Sequence, residues 1–386
     1  MKNILLTFIL IITLIINVKG QNTNYYNQIP IPYNNLLDFN NNSLSVSTIF
    51  PSNFDSTVLT NEDLLPGYYP EAWSSFCDIN GDLRLYSNGK YIWDGQTNNI
   101  INPNNILFGN TSATNGTTVI PSPGEENKYY VFYLGTTFYS NDGFPYLYYS
   151  TVSFEDPSNP VMLEVNVPVI QIANDYFGGP PIGNNSEVMG TTVHANGKDF
   201  WVVVKNKDNN FASILVNGNG VSLQPVLSGV PESDVDPNTP FNIHSAYGFK
   251  FNHSGNKIVF NGKELYNLRS KIVIANFDSC TGVVGQKDQT YVIPTNPSGI
   301  QIGPASNFVF SPDDKKLYCS KYMPNIQAKL IYQIDFSTNN IYTIANLNET
   351  IDYQGLGPIG LSGMMLAPDN KIYIGVTGQE SIANLP

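Results

Sequence analysis

Charge is scarce in this chain, and positive charge scarcest. Asp, Glu, Lys and Arg make up 13% of the 386 residues, and the 19 basic side chains include only Arg84 and Arg269 as arginines. Planar guanidinium forks are what hold a carboxylate bidentately, so a sialidase-type arginine cluster is excluded. Against 31 acidic side chains the balance is −12, which repels phosphate backbones and excludes nucleic acid as a partner. Cysteine is nearly absent. An odd set of three, Cys77, Cys280 and Cys319, builds no disulfide framework. A Cys280–Cys319 bridge stays open on sequence, but reduced thiols serving as small apolar core groups suit Cys77 and Cys319 better. Helical periodicity is missing as well: no run of about ten residues repeats apolar positions every 3.6.

Long apolar runs are missing except at the start. Residues 4–18 carry no charge, follow Lys2 and lead into Val18, Lys19 and Gly20. The run falls short of the ~20 residues a spanning helix needs. It has the layout of a signal peptide, residues 1–20, cleaved between Gly20 and Gln21. The mature chain is then secreted or at the cell surface, more acidic still after losing two lysines, and without stable membrane insertion. With no Cys at the cleavage site, a lipid anchor has no support.

What is present is strand and turn. A hairpin of apolar strand end, polar turn and apolar strand returns six times, at residues 76–83 (FCDINGDL), 120–129 (IPSPGEENKY), 193–200 (VHANGKDF), 251–258 (FNHSGNKI), 310–317 (FSPDDKKL) and 366–372 (LAPDNKI). The last four copies start 58, 59 and 56 residues apart, a period that marks a repeat architecture and here an all-β propeller. Six hairpins count as six blades. The wider gap between the second and third copies leaves room for a seventh. Residues 21–35 read as a disordered lead and residues 36–386 as a single propeller. Few residues follow Ile374, so the last blade is either incomplete or closed by a strand around residues 36–39.

With the hairpins laid out, the sequence resembles a family of exported propeller modules of Bacteroidetes. These form the N-terminal part of large proteins with a gliding-motility-type sorting domain used by type IX secretion. The likeness rests on residues 37–39 (LDF), 78–93 (DINGDLRLYSNGKYIW), 119–124 (VIPSPG), 129–132 (YYVF), 194–203 (HANGKDFWVV), 310–318 (FSPDDKKLY) and 366–373 (LAPDNKIY), spanning about residues 36–376. It implies export and surface display and assigns no catalytic residue. No sorting domain is present in the sequence, so type IX export is not carried over.

Sites are weakly marked. Asp78, Asn80 and Asp82 have the opening of a calcium loop, but Leu83 and Gly89 stand where its glycine and bidentate carboxylate belong. A hairpin turn explains them, and no metal or cofactor is expected. His194 and His253 begin equivalent turns, which suits turn-stabilising hydrogen bonds; His244 has no partner pattern. Residues 360–363 (GLSG) are only part of a nucleophile elbow, so no catalytic residue is assigned. Glu71, Glu187 and Asp352 are indistinguishable from solvated loop charges. Aromatics are the remaining lead. Trp93 and Trp201 follow strand alternation and should pack between blades, while Tyr139, Tyr148 and Tyr149 are further stacking candidates. Tyr69 and Trp73, in the loop before the first inner strand, are the ligand-binding candidates. The expected function is a binding or adhesion scaffold for a glycan or protein ligand, with contacts on loops such as residues 177–183 and 231–236. The alternatives are a carbohydrate-active lyase or hydrolase, or a fragment of a larger surface protein.

Overall fold

The computed structural model describes residues 28–31, 35–40, 44–48, 72–110, 113, 115–135, 145–172, 189–208, 210–229, 241–242, 249–264, 270–293, 305–323, 328–348, 361–376 and 382–385. Among them the regular structure is all strand, arranged in seven antiparallel sheets that follow one another along the chain. The third sheet runs in plain sequence order through Thr117–Pro121, Lys128–Leu134, Tyr146–Ser153 and Val161–Gln171. The sixth does the same through Ser306–Phe310, Lys316–Met323, Ala328–Asp335 and Asn340–Asn348.

Local sequence makes these hairpins. Four residues after the strand end, five of the six repeats place a residue with positive φ: Gly81 (90°), Gly197 (70°), Gly255 (65°), Asp314 (57°) and Asn370 (63°). Gly, Asn and Asp are the residues that tolerate this conformation, so the turn signature in the sequence is a backbone requirement. Asp78 adds an Asx turn: its Oδ1 accepts the Asn80 and Asp82 amides at 2.9 and 3.1 Å.

Side chains join the sheets into a ring. Phe76 and Leu85 of the second sheet share a buried cluster with Val119 and Val131 of the third. Ile120 and Phe132 of the third pack with Val202 and Ile214 of the fourth. Trp201 and Val203 of the fourth meet Phe249 and Phe260 of the fifth, and Val259 and Ile272 of the fifth meet Phe310 and Leu317 of the sixth. Val309 and Ile331 of the sixth cover Met364 and Ile374 of the seventh. Leu37 and Phe39 of the first sheet close the ring on Ala367 and Tyr373 of the seventh, the rings of Phe39 and Tyr373 lying edge to face at 5.5 Å. Each fully buried aliphatic or phenyl group in these seams contributes about 1.5–3 kcal/mol. A propeller is the arrangement this defines.

Two expectations change. The described residues form seven sheets, one more than the six hairpins, because the N-terminal segment forms its own sheet, Gln28–Ile31, Asn35–Asp38 and Ser45–Thr48, whereas the sequence left room for an extra unit between the second and third hairpins. The strand near residue 37 meets the seventh sheet through side chains, while Ile382–Leu385 supplies that sheet's third strand. Gln28–Ile31, a strand, also falls inside the expected lead. Gln28 accepts the Leu83 amide on Oε1 at 3.0 Å, donates its own amide to Cys77 Sγ at 3.3 Å and accepts the Ser75 hydroxyl on its carbonyl. All three cysteines are free thiols, Cys77 and Cys319 buried and Cys280 exposed.

Candidate functional site

In such sheets, successive connections alternate between the two ends of the ring. Turns joining first to second and third to fourth strands gather at one end, and among the described strands none exceeds seven residues. The strand ends that border the intervals 49–73, 135–145, 172–188, 229–240, 293–305 and 349–360, each of 11 residues or more, stand at the other end, together with second-to-third-strand connections of five residues or fewer at 88–91, 206–210, 265–269, 324–327 and 377–381. Tight turns leave little variable surface; long connections on a rigid frame are where recognition usually sits. This long-connection end is the candidate site.

Several polar groups are buried in the seams. Trp73 Nε1, Thr117 Oγ1, Ser213 Oγ, Asn261 Oδ1, Thr290 Oγ1 and Lys321 Nζ are buried without a hydrogen-bond partner. Trp73 and Thr290 lie near strand ends that border these long connections, Thr117 follows the stretch 95–116, and Ser213, Asn261 and Lys321 lie on strands joined by turns of five residues or fewer; Arg84 Nε, without a hydrogen-bond partner as well, lies by the 78–82 turn at the opposite end. Each such group costs about 1–3 kcal/mol. Most buried polar groups in proteins are satisfied.

Lys321 is the most extreme. It is fully buried near the end of Lys316–Met323, on the face that carries Leu317 and Cys319 into the seam with the fifth sheet. Burial lowers its amine to about 8 and raises the Cys319 thiol to about 12. Asn261 reaches the same spot from the fifth sheet, where its Nδ2 donates to the Ala305 carbonyl at 2.7 Å. Ala305 immediately precedes Ser306, which pairs with Ser320, so Asn261 and Lys321 meet at one level of the seam. Two further lysines, Lys205 and Lys271, are buried at this end of the seam between the fourth and fifth sheets.

Trp73 sits at this end and is half-buried rather than freely exposed. It closes an aromatic column, stacking on Trp93 at 5.7 Å and leaning on Tyr86 at 6.2 Å; Tyr86 and Trp93 lie parallel at 5.2 Å. Burial, with Asp94 nearby, pushes the Tyr86 hydroxyl well above its ordinary pKa. Trp93 and Trp201 are buried as expected. Tyr148 and Tyr149 are corrected: both are buried in seams of the third sheet, because strand alternation points them inward. Tyr69, Tyr139, Glu71, Glu187, Asp352, His244, Gly20, Gln21 and the loops 177–183 and 231–236 lie outside the described residues.

At the short-turn end the histidines act as inter-sheet ties. His194 Nδ1 accepts the Asn196 amide at 3.0 Å, its Nε2 is 3.0 Å from the Cys280 carbonyl of the next sheet, and its ring stacks on Trp201 at 5.7 Å. His253 and its neighbours bind Asp314 across the following seam. Sequence reasoning found these turns but not Asp314, Asn261 or Lys321, which alternation marks only as one buried lysine or amide among apolar neighbours.

No protein-family model matches the chain, and no curated protein is significantly similar to it. Among solved structures it is similar to a protein from Lactobacillus plantarum at 12% identity and TM-score 0.46, covering 91% of this chain and 86% of that one. It is also similar to the Cps50 (Swd1) β-propeller domain of Myceliophteria thermophila at 9% identity and TM-score 0.44, covering 81% of each. AofleA from Arthrobotrys oligospora stands at 13% identity and TM-score 0.41, covering 82% and 86%. Likeness at this level carries no argument; the propeller class rests on the chain's own pairing and ring of seams.

Proposed function

We propose that this chain is a secreted or cell-surface propeller that binds a glycan or protein ligand at its long-connection end. The observation that carries the reading is Trp73, half-buried at the end that most of the long connections border, with its indole Nε1 unpartnered. Proteins give up stability where function needs polar groups poised in place. The half-buried Trp73, whose ring is held by Trp93 and Tyr86, offers a rigid aromatic contact of the kind sugar rings and protein hot spots use. The apolar segment at residues 4–18 supports export, and no helix of the described residues is long and apolar enough to cross a membrane.

The test is a glycan and protein-ligand binding screen on the purified chain lacking residues 1–20, with product formation followed in the same wells. Saturable binding without product, weakened by Trp73→Phe and Tyr69→Ala, is the expected result. Product release would overturn the reading in favour of a lyase or hydrolase. Binding indifferent to both substitutions would move the site away from this end.

A further inference from the structure

The axis of the ring is lined by the innermost strand of each sheet: Gln28–Ile31, Ser74–Cys77, Thr117–Pro121, Met189–Val193, Phe249–Phe251, Ser306–Phe310 and Leu361–Leu366. In the fifth sheet Phe241–Asn242 shares the innermost place. Ser74–Cys77 runs beside Gln28–Ile31 and Thr117–Pro121, and Phe249–Phe251 beside Met189–Val193 and Ser306–Phe310. Ser306–Phe310 in turn runs beside Leu361–Leu366. The side chains on these eight strands are uncharged with one exception. Lys250 is the single charged residue among them, and none of the eight carries an Asp or Glu.

Lys250 is also the exposed one; the other side chains described on these strands are buried or half-buried. Its direction is fixed by its neighbours. Phe249 and Phe251 are buried against the fourth sheet, and Phe251 packs edge to face on Phe277 at 4.8 Å. Alternation therefore turns Lys250 to the opposite face, that of its register partner Val259. Val259 is buried in the seam with the sixth sheet, and Lys250 stands one strand nearer the axis. Water reaches the side chain, yet the surrounding protein desolvates the amine and lowers its pKa, and no carboxylate among the described residues offsets this. Exposure and desolvation coincide in a narrow, water-filled passage walled by protein, as along the axis of a propeller. Each innermost strand also pairs on one side only, so the amides of its other edge face the axis.

A cation without a counter-charge, set among backbone N–H donors in a confined space, is a receptor for an oxyanion. An oxyanion beside the amine favours its charged form and gains charge-assisted hydrogen bonds. We propose that the axial passage binds a small oxyanion, a carboxylate or phosphate group, on the Lys250 ammonium. The acidic residues that bring the chain to −12 all lie off these strands, and their fields are screened over about 8 Å at physiological ionic strength. Lys321, fully buried, is closed to such a ligand; Lys250 is open to it. The inference does not rest on the reading made for Trp73.

Isothermal titration of the full chain with acetate, inorganic phosphate and sulfate tests it, with acetamide as the uncharged counterpart of acetate. At least one oxyanion should bind saturably, one per chain, at least about tenfold more tightly than acetamide, and should raise the thermal midpoint. Lys250→Met, which keeps the stem, should weaken that binding about tenfold or more, while Lys250→Arg, which keeps the charge, should retain it. Without anion, the Lys250→Met midpoint should be no lower than the parent's, because the side chain has no partner to lose. Lys315→Ala, at a mostly exposed lysine of a short turn, should leave binding unchanged. No oxyanion binding, equal binding of acetamide, or binding that survives Lys250→Met would each overturn the proposal. Loss on Lys315→Ala in place of Lys250→Met would assign the anion to the outer surface and overturn it too.

Discussion

Replacing Lys321 with Met should make the protein more stable, although it removes a charge and keeps nearly the same length. The ammonium is fully buried and its Nζ has no hydrogen-bond partner. Burial lowers its pKa from 10.5 to about 8, which at ~1.4 kcal/mol per pKa unit amounts to about 3 kcal/mol against carrying the charge inside the fold. Relaxation and water near the strand ends reduce that to roughly 2–3 kcal/mol. Met fills the same space, and the repacking cost of such swaps is under about 1.5 kcal/mol. A net gain of about 1–2 kcal/mol at neutral pH is expected. The sign with pH follows from the proton count. The unfolded chain binds the proton more tightly, so between about pH 8 and 10.5 it holds more protons than the folded one, and stability rises with pH across that window. Urea unfolding of both proteins, at neutral pH and near pH 10.5, separates this from other alkaline titrations. The advantage of Lys321→Met should be largest at neutral pH and shrink towards pH 10.5. A variant less stable than the parent at neutral pH, with a difference that ignores pH, would mean the ammonium has a counter-ion, and the reasoning fails.

Asp314 gives the opposite pH signature. Burial alone would raise its pKa, but the hydrogen bonds from His253 and Ser254 outweigh it and hold the carboxyl at about 2 against an ordinary 3.8. Its contribution, about 1–2 kcal/mol after screening, is complete above pH 3.8 and is lost as pH falls towards 2. Asp314→Asn should show a flatter acid-unfolding profile, and an unchanged profile would count against the clamp. Gly282 has φ +76° and an added Cβ would sit 2.6 Å from the Trp201 ring. Gly282→Ala should therefore cost about 2–4 kcal/mol from backbone strain and ring displacement. A shifted tryptophan emission should accompany it, and unaltered emission with unaltered stability would refute the packing. Gln28→Ala strands the buried Leu83 amide and should cost about 1–3 kcal/mol in thermal or urea unfolding; no loss would detach the first sheet from the ring.

The hairpins were legible because a backbone requirement wrote them into the sequence: a left-handed residue four positions past a strand end can only be Gly, Asn or Asp at low cost. The ring was legible in part. Repeat counting missed the first sheet because Gln28–Ile31, Asn35–Asp38 and Ser45–Thr48 carry none of the hairpin signature and are short, polar-flanked strands. Gln28 ties them in through a side-chain amide, an interaction with no periodicity to read. Trp93 and Trp201 were placed by alternation, and the same rule should have placed Tyr148 and Tyr149, which stand in the run Tyr146–Ser153. Sequence treated them as free aromatics because eight consecutive β-forming residues admit either face until the register is known.

The polar groups in the seams have a common cause in how the ring is built. Towards the short turns, each seam ends on backbone hydrogen bonds and Asx contacts that the turn itself supplies, as Asp78, His194 and Asp314 do. Towards the other end only the short second-to-third-strand turns supply such contacts, as Asn88 and Asn206 do for the amides of Lys90 and Asn210, while elsewhere the chain leaves one sheet and returns to the next many residues later. An apolar residue there would end the seam cheaply. Instead the chain places Lys205, Lys271 and Lys321 there, three of only 19 basic residues. Beside them stand Asn261, Ser213 and Thr290, whose side-chain oxygens are unpartnered. The Lys321 ammonium and the three unpartnered side-chain oxygens each work against stability by about 1–3 kcal/mol.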